Sequence, residues 1–265
     1  MSAKIGTLGI LAGEGEIPHM LINHGMEQDI PFSAVQFDGC TYSGFPRIRT
    51  LQTRIERVGD IFKFLKSNKA TDVVLIGNLS KPSLSSLRPD LKGIKTLAKI
   101  GKSYMMGDDN LLRSLRKEIE TEGFTVRGAD YFLPDLTMPA GVHTVQTPTM
   151  DYSAGLQQSI QHGIEDKGQS VLMHVDGTYS FETRSGTTAL VEQEGRAGSI
   201  LIKTVKPQQD PDLDRPTVGI ETLKALHKVG GAGLVIQADA VFAIHQEIMV
   251  KYANEHDLFI EAVHV

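Results

Sequence analysis

The sequence of 265 residues contains no tryptophan and only one cysteine, Cys40. The missing tryptophan excludes no class of protein, but a single cysteine excludes an internal disulfide and is typical of a reducing compartment. No run of about 18 apolar residues occurs, so no membrane span is predicted. The first residues also lack the basic-then-apolar order of a signal peptide. We therefore expect a cytoplasmic protein in which Cys40 is a small core or turn residue.

Positive charge is also scarce, because 27 Lys and Arg residues face 32 Asp and Glu residues and give a net charge of −5. Bulk electrostatic binding to nucleic acid needs a basic face, so the composition argues against nucleic acid as a partner. The composition does not exclude a local basic patch. The chain does have 40% apolar residues, enough for a core, and its length suits one large or two small domains.

Short apolar segments alternate with helical patterns in the first half of the chain. Strands are predicted at residues 5–12, 32–37 and 72–76, and helices at residues 18–24, 58–67 and 111–119. This alternation predicts an α/β fold in which a Rossmann-like parallel sheet has helices on both faces.

Residues 133–148 interrupt the pattern, with three prolines and no periodicity. We interpret residues 134–148 as a linker between an N-terminal domain, residues 1–133, and a C-terminal α/β domain, residues 149–265. The pattern of the second domain predicts helices at 150–167, 220–229 and 247–254, strands at 199–205, 234–237 and 259–263, and a hairpin about the two-residue turn Asp176-Gly177.

A glycine-rich turn follows the first predicted strand, with Gly13 and Gly15 ahead of Pro18 in the first turn of a helix. A strand, a glycine turn and a helix N-terminus together can bind an anion. The turn resembles a dinucleotide fingerprint in which Asp38 would hold a ribose, but Pro18 replaces its third glycine. The alternative, that any tight strand-to-helix turn favours glycine, stays open.

Asn78 and Lys81 follow the third predicted strand at its carboxyl end, the edge at which open α/β sheets bind ligands. Their side chains can donate hydrogen bonds to sugar or phosphate, although an ordinary polar loop fits the spacing equally well. Residues 101–103 resemble the tail of a P-loop, but Thr96 stands where that motif needs glycine. We therefore reject a P-loop.

Gly186, Thr187 and Thr188 follow the predicted hairpin and precede another helix. The threonine hydroxyls are well suited to cap that helix. The functional alternative is that they line a phosphate pocket together with Gly186.

The loop of residues 203–216 holds two lysines, Lys203 and Lys206, with three aspartates and three prolines, directly after an apolar strand. Proline fixes its own φ and favours an extended residue before it, so the loop is predicted to be stiff. Lysine suits phosphate, and carboxylates that lie close together repel one another unless a cation such as Mg²⁺ lies among them. A solvated loop is the alternative.

Five blocks of residues together resemble one family, the UDP-2,3-diacylglucosamine pyrophosphatases of the LpxI type. The blocks are residues 8–18, 77–82, 107–113, 186–187 and 206–219, and their order extends the resemblance over nearly the whole chain. The resemblance implies two domains joined by a linker, with the active site in the cleft between them. It also implies Mg²⁺-dependent hydrolysis of UDP-2,3-diacylglucosamine to UMP and 2,3-diacylglucosamine 1-phosphate (lipid X), a step in lipid A biosynthesis.

The family's essential aspartate matches Asp214, which is therefore the expected catalytic residue and metal ligand. The expected substrate-binding residues are Gly13, Gly15, Asn78, Lys81, Asp108, Gly186, Thr187, Thr188, Lys203 and Lys206. Two positions depart from the family pattern. Thr188 stands where an acidic residue is common, and Arg215 stands where leucine is common.

The resemblance also implies transient contact with the inner membrane surface, because the substrate carries acyl chains, and therefore a location peripheral to that membrane. The sequence leaves the oligomeric state open, with a homodimer as one expectation. Two other functions stay open. One is a dinucleotide-dependent oxidoreductase that uses the turn at Gly13 and Gly15, and the other is a nucleotide- or lipid-binding protein that has lost the chemistry, for which Thr188 is the argument.

Overall fold

The computed structural model of the chain describes residues 7–40, 48–78, 86–106 and 108–265, and only the backbone of residues 100–106 and 108–110. The chain divides into two compact units. The first holds the described residues up to Leu133 together with Asp212–Asp214, and the second holds Pro134–Pro211 and Arg215–Val265.

The first unit is built on a five-stranded sheet whose strands all run parallel, in the order β3-β2-β1-β4-β5. Its elements are β1 (Thr7–Ala12), α1 (Glu16–Glu27), β2 (Phe32–Phe37), β3 (Arg49–Thr53), α2 (Val58–Ser67), β4 (Ala70–Ile76), α3 (Leu91–Met106), α4 (Asp108–Thr121) and β5 (Thr125–Val126). The predicted parallel α/β sheet flanked by helices is thereby confirmed.

The core of the first unit forms where α2 presents Ile61, Phe62 and Leu65 to the sheet. These three side chains recur at helical spacing, so burying one face of α2 brings them all inside. The approach is close, because a Cβ added at Gly9 of β1 would lie 2.5 Å from the Leu65 side chain. Glycine at this position therefore lets the helix reach the strand.

Besides the two-residue strand β5, two elements of the first unit, β3 and α3, are absent from the sequence prediction. Strand β3 contains one apolar residue, Leu51, and is mostly exposed, so it has neither an apolar run nor a clean alternation. Helix α3 includes two glycines and four lysines, a composition with little helical signal of its own. Packing against the rest of the unit decides both elements.

The second unit contains a six-stranded mixed sheet in the order β6-β13-β11-β9-β7-β8 and a short parallel pair, β10 with β12. Its elements are β6 (Gly141–Val142), α5 (Ser153–Ile164), β7 (Ser170–Met173), β8 (Tyr179–Phe181), α6 (Gly186–Glu194), β9 (Ile200–Lys203), β10 (Thr217–Val218), α7 (Ile220–Lys228), β11 (Gly233–Gln237), β12 (Phe242–Ala243), α8 (Gln246–Glu255) and β13 (Phe259–Val263). The predicted second α/β domain is thereby confirmed.

The segment of residues 134–148 differs from the predicted linker, because it forms part of the second unit. Leu136 and Met138 are fully buried, and β6 pairs antiparallel with β13. Proline removes periodicity from a sequence, but it does not prevent buried side chains or a two-residue edge strand. The loop segment Asp212–Asp214 was likewise expected in the second domain and clusters with the first unit instead.

The hairpin about Asp176-Gly177 is present, but its connection is longer than the predicted two-residue turn. Met173 of β7 pairs with Tyr179 of β8, and the His174 N–H donates to the Thr178 carbonyl at 2.9 Å. Three residues therefore form the loop, and Gly177 adopts the positive φ of 79° that glycine permits.

None of the described helices is both long enough and apolar enough to cross a membrane.

Candidate functional site

In the first unit, the strand order reverses between β1 and β4, which are neighbours although β2 and β3 separate them in sequence. Open α/β sheets bind ligands beyond the carboxyl ends of the strands at such a reversal. Gly13 and Gly15 follow β1, and Asn78 follows β4, so the structure brings these three predicted residues to that edge.

The two loops at this edge are joined by their backbones. The Glu14 N–H donates to the Asn78 carbonyl at 2.8 Å, and the Asn78 N–H donates to the Glu14 carbonyl at 2.7 Å. A Cβ at Gly13 would lie 2.7 Å from the Asn78 carbonyl oxygen. Gly13 is therefore explained by the close approach of the second loop, which is the structural alternative considered for it.

Gly15 has a different reason to be glycine. It is the residue before α1, it is exposed, and its φ of 120° is a conformation that other residues rarely adopt. No heavy atom lies within 4 Å of the position that its Cβ would take. The backbone at the N-terminus of α1 is thus open to approach, and no side chain caps this helix.

Two predicted residues of the first unit lie outside what the structure describes. Lys81 is not among the described residues, and only the backbone of Asp108 is described, as the first residue of α4. Asp38 is exposed and follows β2, the strand that lies between β1 and the edge strand β3.

In the second unit, Lys203 ends β9 and is 5% exposed. Its ammonium Nζ donates to the Thr187 hydroxyl at 2.6 Å, and that hydroxyl donates to Glu182 Oε1 at 2.7 Å. The result is a relay of cation, hydroxyl and carboxylate that links the end of β9 to the first turn of α6, with Lys203 and Glu182 buried and Thr187 half-buried.

The Thr187 hydroxyl has a third partner, the Ser170 hydroxyl at 3.0 Å. A hydroxyl offers one donor and two acceptor sites. Donation to Glu182 and acceptance from Lys203 and Ser170 fill all three. Thr187 therefore holds the cluster together, and its hydroxyl has no bonding capacity left for a phosphate in this arrangement.

Glu182 and Ser170 were missed by the sequence analysis. Glu182 is buried, and its second oxygen accepts from the Gln169 N–H at 2.8 Å. Ser170 lies opposite Lys203 in the antiparallel pairing of β7 with β9. Strand register alone reveals Ser170, whereas Glu182 carried a weak signal as an acidic residue directly after a strand.

Burial lowers the pKa of Lys203, and the charge of Glu182 opposes that change. Removing an ammonium group from water disfavours its charged form. The ammonium at the end of β9 is therefore held under electrostatic strain, with a neutral hydroxyl rather than a carboxylate as its direct partner.

Gly186 and Thr188 lie in the first turn of α6, so the predicted threonine caps are inside the helix. Ser185 is the preceding residue, and no side chain makes a capping hydrogen bond to this helix. Gly186 has a φ of 86° with no heavy atom near its missing Cβ, and Thr188 is exposed. This N-terminus is an electropositive surface that suits an anion.

Lys206 lies in the same loop as Lys203 but has a different environment. Its Nζ pairs with Asp166 Oδ1 at 2.8 Å, and this ammonium lowers the pKa of Asp166. Because the Lys206 side chain is only 18% exposed, the pair fixes the lysine against α5 and the turn that follows it.

The aspartates of the loop do not share one environment. Asp212 Oδ2 pairs with Arg116 at 2.9 Å, and Asp212 Oδ1 accepts from the Gly128 N–H at 3.1 Å. Leu213 packs on the core of the first unit. The charge of Asp212 is thus balanced by an arginine, and the expected repulsion among three carboxylates needs no cation at this residue.

Asp214 is half-buried in the first unit. Among the residues that the structure describes, no group of three His, Cys, Asp or Glu side chains could hold a metal ion. Mg²⁺ in phosphate-handling sites commonly takes one or two carboxylates and completes its shell with phosphate oxygens and water. Asp214 is a carboxylate that could contribute to a sparse site of this kind, whereas Asp212 is paired with Arg116.

Arg215, the departure beside Asp214, has a defined role in the second unit. Its guanidinium donates to the carbonyls of Pro211 at 2.7 Å and Asp239 at 3.0 Å, and it lies 5.3 Å from the Phe242 ring centre. Donation from several nitrogens at once and stacking on an aromatic ring are interactions that arginine makes well. This side chain therefore fixes the backbone next to Asp214.

The fold and these polar clusters define a two-domain α/β protein with candidate binding groups at the ends of strands in both domains. The LpxI N-terminal domain family model matches residues 7–136, and the LpxI C-terminal domain family model matches residues 139–261. The chain belongs to the LpxI family, as the five blocks of its sequence indicated. A relative from Caulobacter vibrioides, named UDP-2,3-diacylglucosamine pyrophosphatase LpxI, is 28% identical over 271 residues, covering 97% of each chain.

Proposed function

We propose that this protein hydrolyses the pyrophosphate bond of UDP-2,3-diacylglucosamine, with water as the nucleophile, to UMP and 2,3-diacylglucosamine 1-phosphate. The observation that carries the proposal is the match of the two LpxI family models to both domains, joined by a relative of that name over nearly the full length. One water is consumed and one phosphorus–oxygen bond of the anhydride is broken, so each product leaves with one phosphate.

Asp214 is the proposed catalytic residue and the ligand of Mg²⁺. When bound, Mg²⁺ would neutralise negative charge that develops on the phosphate oxygens. Asp214 would hold this ion or orient the attacking water. The half-buried position of Asp214, beside the paired Asp212 and the anchored Arg215, supports the proposal because a catalytic carboxylate needs a fixed backbone.

The residues Gly15, directly before α1, and Gly186, the first residue of α6, are each proposed as phosphate-binding positions within their own unit. Both glycines have positive φ and no heavy atom near the missing Cβ, so a phosphate can approach the backbone there. Thr188 is exposed beside Gly186 and can donate its hydroxyl. Gly13, Asn78, Lys81 and Asp108 complete the proposed nucleotide or sugar contacts.

The two lysines of the loop are proposed to act at different ranges. Lys203 keeps Thr187 and the first turn of α6 in position, and its positive charge adds to the field at that turn. Lys206, which is paired with Asp166, would meet a phosphate oxygen at the surface as a point charge.

The direct test is to supply the purified full chain with UDP-2,3-diacylglucosamine and Mg²⁺ and to measure UMP. UMP formation that needs both protein and Mg²⁺ is expected, with loss of the product in EDTA. Absence of UMP with every divalent ion tried would contradict the proposed reaction. Tight binding of lipid X without turnover would then identify a protein that kept the site and lost the chemistry.

An oxidoreductase remains the alternative for the glycine turn, and titration of NAD(P)H fluorescence separates it from the hydrolase. No fluorescence change is expected. The proposal also includes contact with the inner membrane surface, where the acyl chains of the substrate reside, and leaves a homodimer to be tested by sedimentation.

A further inference from the structure

Helix α3 presents a stripe of apolar and basic side chains to solvent. Leu91 is 82% exposed and Ile94 is 53% exposed, and both are among the most exposed large apolar residues of the described chain. Lys95, Ala98 and Lys99 are exposed as well. These positions recur at helical spacing, so they form one face of α3.

Close packing fixes which face of α3 looks outward. A Cβ at Gly93 would lie 2.1 Å from the Glu56 carbonyl oxygen, so glycine at this position allows the helix to lie directly on that backbone. Thr96, one turn later on the same side, is 2% exposed. The stripe therefore lies opposite a face that cannot rotate outward without separating the helix from its unit.

The start of α3 is also anchored. Asp90 Oδ1 accepts from the Gly93 N–H at 2.6 Å, and Asp90 Oδ2 accepts from the Asp60 N–H at 3.0 Å. The first bond is an N-terminal cap, and the second attaches the cap to α2. Leu91 and Ile94 are therefore exposed at a helix N-terminus that is capped and hydrogen-bonded to α2, and not at a frayed end.

The charge of the helix has one sign. From Leu91 to Met106 there are four lysines and no acidic residue, in a chain whose net charge is −5. Lys99 pairs with Glu118 of α4, and Lys92 pairs with Glu122, the residue that follows α4. Lys95 lies on the exposed stripe between the two apolar side chains and Lys99. An anionic surface is thus attracted to this stripe and repelled by the protein as a whole.

We propose that the stripe of Leu91, Ile94, Lys95, Ala98 and Lys99 docks the protein on an anionic lipid surface, with Leu91 and Ile94 inserted among the headgroups. Exposed apolar side chains flanked by lysines on a surface helix are the features that bind the interface of a negatively charged membrane. The docking is independent of the proposed hydrolysis, because it is measured without substrate and uses no residue assigned to the reaction.

The test is sedimentation of the full chain with vesicles of phosphatidylcholine alone and of phosphatidylcholine with about one third phosphatidylglycerol. The protein is expected to bind the vesicles that contain phosphatidylglycerol and not those of phosphatidylcholine alone. This binding should weaken between about 0.1 M and about 0.5 M salt. The double substitution Leu91→Ser with Ile94→Ser should reduce the partition coefficient at least about tenfold. Lys95→Glu should reduce it at least about fivefold.

Helix α8 offers matched controls in the second unit, because Ile248 is 54% exposed and the Lys251 side chain is 77% exposed. Ile248→Ser with Lys251→Glu removes the same kinds of group and should leave vesicle binding within about twofold of wild type, since it touches no stripe residue. Thermal unfolding of all variants should match wild type, because every substituted side chain is exposed.

Several results would overturn the proposal. They are absence of binding to the anionic vesicles, equal binding to neutral ones, an unchanged partition coefficient for the α3 variants, or an equal loss for the α8 variant. Sedimentation equilibrium of the same proteins supplies one more. If Leu91→Ser with Ile94→Ser converts a dimer to a monomer and leaves vesicle binding intact, the stripe is an interface between copies of the chain.

Discussion

The buried ammonium group of Lys203 donates a hydrogen bond to the hydroxyl of Thr187, with 2.6 Å between Nζ and the oxygen. This bond couples the end of β9 to the first turn of α6. Neither residue is exposed enough for bulk water to replace this bond easily. The pair gives the proposed phosphate-binding turn a fixed position, and it leads to the first two predictions.

Thr187→Val keeps the shape of the side chain and removes the hydroxyl. The buried groups Glu182 Oε1 and Lys203 Nζ would each lose a hydrogen-bond partner, so the free energy of unfolding should fall by about 1–3 kcal/mol. Urea unfolding measures this change. Thr188→Val, one residue later and exposed, should change it by less than about 0.5 kcal/mol. Equal effects at the two positions would contradict the assigned role of Thr187.

Lys203→Met removes the buried charge, and its effect on stability should depend on pH. The ordinary pKa of 10.5 applies to Lys203 in the unfolded chain, and burial lowers the pKa in the fold. Between these two pKa values the unfolded wild type holds a proton that the native state lacks, so wild-type stability rises with pH. Methionine carries no proton, so the stability of the variant minus that of wild type should fall as pH rises through this window.

Denaturant unfolding of both proteins from about pH 7 to about pH 10 gives the slope of that difference. Lys228→Met is the matched control, since the Lys228 side chain is 76% exposed, and its difference from wild type should stay flat. A flat or rising difference for Lys203→Met would contradict a lowered pKa.

Gly13→Ala should destabilise the first unit. The added Cβ would lie 2.7–2.8 Å from backbone atoms of Gly77 and Asn78, which cannot move without breaking the paired loops, so a loss of about 1–3 kcal/mol is expected. Gly163→Ala in α5 is the control, because its Cβ would have ordinary contacts of 3.5 Å or more. That helical substitution should be neutral or stabilising by up to about 1 kcal/mol.

Asp214→Asn keeps the size of the side chain and removes its charge. If Asp214 holds Mg²⁺ or orients the water, UMP formation should fall by about a hundredfold or more, and half-maximal activity should need more Mg²⁺. The UMP assay with a Mg²⁺ titration measures both. Asp210→Asn, four residues earlier in the same loop, should stay within a few-fold of wild type, and an equal loss there would remove Asp214 from its proposed role.

Patterns of apolar residues were enough to predict most strands and helices, because burial of one face imposes a period of two or of 3.6. Helix α2 is an example, with Ile61, Phe62 and Leu65 on its buried face. Strand β3 could not be predicted in this way, because its side chains are mostly exposed and show no apolar pattern. Its pairing with β2 depends on backbone hydrogen bonds, which any residue except proline can make.

The candidate site was partly predictable for the same kind of reason. Glycine turns are visible in sequence and led to Gly15 and Gly186. The charged loop is visible as well, but only the resemblance to the family singled out Asp214 within it. The partners of those residues were not visible. Asp212 has the same side chain as Asp214, yet Arg116, almost a hundred positions away in sequence, gives it a structural ion pair.

The sequence by itself determined the α/β class, the family and the residues that can carry charge to a phosphate, because local periodicity and the order of motifs are properties of the chain. Tertiary structure alone decided which of those groups remain available. Packing buried Lys203 against Thr187, paired Lys206 with Asp166 and turned Leu91 and Ile94 to solvent. The physical reason is that burial and pairing depend on neighbours from distant parts of the chain, and no local pattern specifies them.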